Sequence, residues 1–174
     1  MKWRSLSGER IPDIDQWIID NCPADQVVHV GTDSLNARKS THFVTVVIIH
    51  TPTKGGRVAY TRESVGRISS LRLRLMDEVW RSVGIAMSLN GKLKNEINVH
   101  VDANPDERFA SSKYVKELAS MVMSQGFTCV LKPQSWAATH ASDHIVRSFG
   151  KKDGVQRANK KVSGRASRRI QQRG

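Results

Sequence analysis

The stretch INVHVDANP, residues 97–105, decides how this chain is read. Ile97, Val99 and Val101 alternate with Asn98 and His100, and the run ends in Asp102. Alternation of that kind predicts a β-strand, and Asn104-Pro105 closes it with a turn signal. An aspartate in that place has a plain reading as a turn former. A second stretch makes it more specific. In VVHVGTDS, residues 27–34, an apolar run again leads into an acid, Asp33. Two strands each delivering a carboxylate at the C-terminal end would bring those acids together if the strands are neighbours.

Working outward, the chain alternates strand and helix patterns. Residues 12–21 read as a short helix, with Pro12 at its first position. Strand one is Val27–Asp33, apolar nearly throughout and so buried on both faces. Ser34–Ser40 reads as a polar loop. His42–His50, with FVTVVII at its heart, is strand two, and Lys54-Gly55-Gly56 a hairpin turn. Arg57–Glu63 reads as an edge strand. A long helix follows from Leu71 to Leu89, capped by Ser69 or Ser70 and stopped at Asn90-Gly91. Strand four is Glu96–Asp102, a second helix runs from Ser111 to Gln125, and strand five is Phe127–Leu131. A last helix is expected from near Pro133 to about Phe149. Short connections predict an antiparallel arrangement of strands 1–3. Helical crossovers predict parallel strands 4 and 5. The expectation is an α/β fold, a mixed five-stranded sheet flanked by helices.

Charge is concentrated at one end. The 174 residues carry a net +12. Residues 150–174 hold nine Lys and Arg against Asp153 alone, which is +8 of that total. Such a tail cannot bury enough surface to order itself. It suits a polyanion, with nucleic acid the leading candidate. Cys22 and Cys129 lack metal spacing and read as reduced thiols of a cytoplasmic protein. Met1–Arg10 has no signal-peptide core, and no apolar run approaches the ~20 residues of a membrane span.

The wording of the chain goes further than its pattern. GTDS, SLRLRLMDEVW, VHVDANP with SSKYVKEL, and KPQSWAATHASD resemble the YkuK family of ribonuclease H-like proteins, over about residues 27–147. The resemblance implies a ribonuclease H-like domain over 1–149, including the short N-terminal helix, followed by the basic tail. In that superfamily acids on strand one, the first helix, strand four and the last helix hold two divalent metals. By position these match Asp33, Glu78, Asp102 and Asp143. The implied cofactor is Mg²⁺ or Mn²⁺, as two ions.

The chemistry needs such a cluster. Phosphodiester hydrolysis puts negative charge on the attacking and leaving oxygens, and two metals about 3.5–4 Å apart stabilise both. Hard cations take oxygen ligands. Taken singly, Asp33 and Asp102 are also readable as turn acids, and Glu78 and Asp143 as solvated helix charges. Helical counting separates Glu78 from its neighbour. At about 100° per residue Glu78 falls beside Leu71 and Leu89 at the edge of the apolar arc, and Asp77 among the polar positions.

His29, His42, His50, His100 and His144 read as structural or surface residues. Trp136, His140, Asp143 and Arg147 share one stripe of the last helix, with Ala138, Ala141, Ile145 and Phe149 roughly opposite. His140 there is a candidate for proton transfer or product release. Asn104 either contacts substrate or shapes its turn. Lys113, Lys116 and Lys132 either line a groove or are merely solvated.

The sequence therefore points to a metal-dependent nuclease acting on RNA–DNA hybrid, RNA or DNA, with the RNA strand of a hybrid favoured. Its rivals are a noncatalytic nucleic-acid-binding module and a resolvase-like endonuclease of DNA junctions.

Overall fold

The computed structural model describes residues 1–51 and 55–137. Its elements are β1 (Trp3–Ser5), β2 (Arg10–Ile11), α1 (Ile14–Asn21), β3 (Val27–Asn36), β4 (Ser40–Thr51), β5 (Gly55–Gly66), α2 (Leu71–Leu89), β6 (Ile97–His100), α3 (Val115–Met123) and β7 (Thr128–Val130). They build one mixed sheet in the order β2-β1-β5-β4-β3-β6-β7. The β3, β4 and β5 strands pair antiparallel, and β6 and β7 join in parallel beyond β3. This is the expected mixed sheet, with seven strands in place of five.

The two extra strands come from the first eleven residues. They are three and two residues long, too short to show a period of two. Trp3 and Ile11 face each other in register and are both buried. Since β1 pairs with β5, the third long strand is not an edge. Ser34–Asn36, expected in a loop, still pair with β4, so Asp33 lies inside β3, opposite Val44. Ladder bonds to β4 outweigh the polarity of these residues. Gly55 and Gly56 likewise begin β5 rather than forming a turn. At α1 the side chain of Asp13 caps the helix by accepting from the Gln16 N–H, which leaves Pro12 outside it.

One face of the sheet packs against α2 and α3. Val28, Val30, Val47, Ile49 and Val99 meet Leu75, Val79, Val83, Leu89, Leu118 and Val122 in the main core. The alternate residues of the same strands point the other way. There Val44, Val46 and Ile48 pack with Ala137. That two-sided burial explains the unbroken β-branched run of β4. The helix α2 has the bounds its sequence announces. The Ser70 side chain accepts from the Leu73 N–H at its start, and Gly91 beyond its end takes a φ of 78°. Residues 132–134 turn around a cis Lys132–Pro133 bond, and helical backbone follows at Trp136, near the expected start; the rest of the expected last helix lies outside the described residues. Among the described residues no helix is long and apolar enough to cross a membrane.

Candidate active site

The parallel β3–β6 ladder aligns the two strand acids. Val28 pairs with Ile97 and Gly31 with His100, a constant offset of 69 residues. Asp33 and Asp102 differ by the same offset, so they continue the ladder side by side. Asp102 itself lies two residues beyond the last β6 position. Both side chains are half-buried. Asp33 Oδ1 accepts the Ser34 N–H at 2.7 Å. Asp102 Oδ1 is 2.7 Å from Lys132 Nζ. Lys132, which the sequence left between groove and solvent, instead neutralises a candidate ligand.

Glu78 enters from α2. Its neighbours in the helix decide the phase: Leu75, Val79 and Ser82 are buried, and Glu78 is buried with them, 4% exposed. The Ser34 hydroxyl donates to Glu78 Oε1 at 2.5 Å. Arg74, one turn earlier, donates to that same hydroxyl oxygen at 2.9 Å and stands 3.9 Å from Glu78 Oε1. Burial pushes the Glu78 carboxyl up to about 8. The Ser34 bond and the Arg74 charge oppose this, while the charges of Asp33 and Asp102 reinforce it. The charges of Asp33 and Asp102 thus both bear on the Glu78 carboxyl. Asp77 differs: it is a third exposed and ion-paired to Arg81 at 3.1 Å, rather than simply in water.

The donor set is all oxygen, which suits Mg²⁺ or Mn²⁺ and not a thiolate- or imidazole-seeking ion. Among the described residues no group of three or more His, Cys, Asp or Glu is placed to hold a metal ion. Ser34 and Lys132 are the groups that hold Glu78 and Asp102 in this structure. Asp143 and His140 lie outside the described residues.

A second polar cluster lies on the sheet face away from α2, the face that strand alternation also gives Asp33 and Asp102. His29 Nδ1 and His100 Nε2 are 2.9 Å apart and buried. The Trp136 ring covers both, with centroids at 4.9 and 5.3 Å, and reaches His50 at 6.0 Å. Trp136 therefore packs on the sheet, the packing reading of the two its place on the stripe left open. Burial holds His29 down at about 4, with the His50 charge adding to it, and His100 at about 3, aided by His29. Both are neutral at pH 7. Asn104 shapes its turn, its Oδ1 accepting the Asp106 N–H at 3.0 Å.

Ser34 and Arg74 are the site residues that sequence reasoning missed. Each had a signal. Ser34 follows Asp33 directly, and Arg74 stands four residues before Glu78, on the same helical face.

A family model described as ribonuclease H-like matches residues 9–147. This chain belongs to that family. Among solved structures it is similar to ribonuclease H1 of Halobacterium salinarum NRC-1, at 14% identity and a TM-score of 0.39, covering 64% of this chain and 89% of that one. It is also similar to the N-terminal ribonuclease H domain of rv2228c from Mycobacterium tuberculosis, solved as a fusion with maltose-binding protein. That match has 13% identity and a TM-score of 0.36, covering 72% of this chain and 99% of that one. No curated protein sequence matches.

Proposed function

We propose that this member of the ribonuclease H-like family is a metal-dependent nuclease that hydrolyses phosphodiester bonds, with the RNA strand of a hybrid as its favoured substrate. One observation carries the reading. A buried glutamate, Glu78, is held by Ser34 at 2.5 Å within electrostatic reach of Asp33 and Asp102, whose charges disfavour its ionisation. Crowded carboxylates at the end of an apolar strand pair weaken the fold, and a divalent cation offsets their repulsion. Asp33, Glu78 and Asp102 would hold the metal, with Asp143 as the fourth ligand. When bound, the metal supplies charge stabilisation to the phosphate and a more acidic water. The chain's own part is positional. Arg74 and Ser34 fix the Glu78 carboxylate, and Lys132 keeps Asp102 compensated until the metal arrives. Two free cysteines, Cys22 and Cys129, suit a reducing cytoplasmic setting. The tail of residues 150–174 would hold phosphate backbone without sequence preference.

The test is a cleavage panel of labelled hybrid, duplex, single-stranded and four-way junction substrates with Mg²⁺ and Mn²⁺. Hybrid cut fastest supports the reading. A blank across the panel with binding retained assigns the chain to the noncatalytic binding modules. That second reading has its own observation, since the Lys132–Asp102 ion pair already neutralises one acid without metal.

A further inference from the structure

The row of acids at the end of β3 and β6 has a further member. The β6–β7 ladder pairs Asn98 with Thr128 and His100 with Val130, a constant offset of 30 residues. Asp102 and Lys132 differ by the same offset, so Lys132 continues the row on the side of Asp102 away from Asp33. Backbone bonds carry the alignment past the strand ends. The Val101 N–H donates to the Val130 carbonyl at 2.9 Å, and the Lys132 N–H to that of Ala103 at 3.3 Å. The Lys132 ammonium ends 2.7 Å from Asp102 Oδ1. In the other direction the row runs from Asp33 through Val44 to Arg62. Basic residues thus bound the two acids at both ends. An ordinary surface lysine is only solvated. Lys132 is instead set beside its acid by sheet register, with its side chain 30% exposed.

Charge then limits how many ions the centre takes. The charges of Asp33 and Asp102 bear on Glu78, which makes three acids. Two cations of the chain already stand against their oxygens, Lys132 at 2.7 Å from Asp102 and Arg74 at 3.9 Å from Glu78. One divalent ion joined to those two gives four positive charges, against three carboxylates and one substrate phosphate. Such a centre is neutral. A second divalent ion leaves it two charges in excess, and still one in excess with Asp143 counted. Uncompensated charge in a partly buried site is costly. An ion of the Mg²⁺ type also keeps several waters and needs only one or two carboxylates.

We infer that the centre takes one divalent ion and that Lys132 is its second, permanent cation. The inference rests on the metal-dependent function proposed above, and it departs from the two ions that the resemblance implies. The ammonium compensates Asp102 before an ion binds and stays on Oδ1 afterwards. Asp102 uses one of its three N–H donors, which leaves donors for a non-bridging oxygen of the substrate phosphate. A compact point charge on a flexible stem suits that contact.

Binding of Mn²⁺ alone to the full chain tests it, with free ion read from its electron paramagnetic resonance signal from about 10 μM to 2 mM. Wild type is expected to bind one ion per chain, and so is Lys132→Arg, which keeps the charge. Lys132→Met keeps the apolar stem and loses the charge, and it is expected to bind two. Lys132→Gln is the polar alternative with the same expectation, and metal-free melting curves show that each variant is folded. Two ions about 3.5–4 Å apart couple magnetically, which a single ion does not. Adding Asp102→Asn to Lys132→Met should remove the gained ion, which separates this centre from other surface carboxylates. Two coupled ions in wild type overturn the inference and leave the metal-dependent function standing. A single ion in both Lys132→Met and Lys132→Gln overturns it as well, since Lys132 is then an ion pair and no more. No ion on wild type removes the metal-dependent function itself, and the inference with it.

Discussion

The β3–β6 pair carries two polar clusters, and they are held in opposite ways. In the middle of the ladder His29 and His100 are buried, neutral and bonded to each other at 2.9 Å under Trp136. At its end the charges of Asp33 and Asp102 act on Glu78, a carboxyl that burial and its neighbours push up to about 8. The histidine pair is largely satisfied by its own partners. The acids oppose one another's charge, and the fold makes up only part of the difference through Ser34, Arg74 and Lys132. A buried, neutral cluster bonded within itself is a structural feature. A cluster left electrostatically incomplete is where a ligand should act.

The sharpest way to break this contrast is to remove the acids. Asp33→Asn and Asp102→Asn are each expected to lower cleavage by about a thousandfold or more, since both would be lost from direct transition-state stabilisation. The fold should remain intact. Melting curves with and without Mg²⁺ provide the check independent of activity. Wild type should gain more from Mg²⁺ than either variant. Equal gains would mean that the metal is not held there.

Proton linkage gives the next largest effect, and the two clusters pull in opposite directions. Glu78 is raised on folding, so its contribution falls as pH rises from about 4.5 to about 8. The histidines are lowered, so theirs is lost as pH falls from about 6.5 toward 4 and 3. Metal-free stability should therefore peak near pH 6.5 and decline toward pH 8, each pKa unit being worth about 1.4 kcal/mol. Glu78→Gln should abolish the decline above pH 6.5 and cost most of the activity. A decline that persists in the variant would place its cause elsewhere.

The histidine pair itself should obey a different arithmetic. His29→Leu leaves His100 without its partner, and His100 Nδ1 already has none. A buried unpaired polar group costs about 1–3 kcal/mol. The double variant His29→Leu/His100→Leu should cost less than the sum of the singles, because neither nitrogen is then stranded. Urea titrations of the three variants measure this. Additive losses would mean that the 2.9 Å contact contributes little.

Much of this was legible in the chain. The β-branched run of β4, the serine cap and glycine stop of α2, and the two strands leading into aspartates are all local signals. The local signals stopped short in three places. The β1 and β2 strands are too brief to have a period, and they form only because β5 offers an open edge for Arg4 and Ser5 to pair with. The Ser34–Asn36 segment is polar but extended, since its backbone has partners in β4. The His29–His100 bond depends on register between strands 71 residues apart, which no local window contains. Of the candidate ligands, Asp33 and Asp102 could be paired by counting, Glu78 by helical phase, and Asp143 by resemblance alone.

The smallest effect separates neighbours on α2. Asp77 and Glu78 are both acids, one residue and about 100° apart. Glu78 faces the sheet and Ser34. Asp77 faces the rim, where it meets Arg81, which also pairs with Glu63 at 2.5 Å. Arg81 lies over the Phe43 ring at 4.1 Å and is largely covered, so it keeps a carboxylate partner when Asp77 is lost. Asp77→Asn should then cost roughly 0.5 kcal/mol, the worth of an exposed helical ion pair. Its cleavage rate under saturating Mg²⁺ should stay within about twofold of wild type, under 0.5 kcal/mol in the barrier. Adding salt to about 1 M should erase the stability difference, because partly exposed charges are screened at that strength. A loss at Asp77 as large as that of Glu78→Gln would mean that the catalytic acid of this helix is the rim residue. Glu78 would then be a buried structural carboxyl held by Ser34.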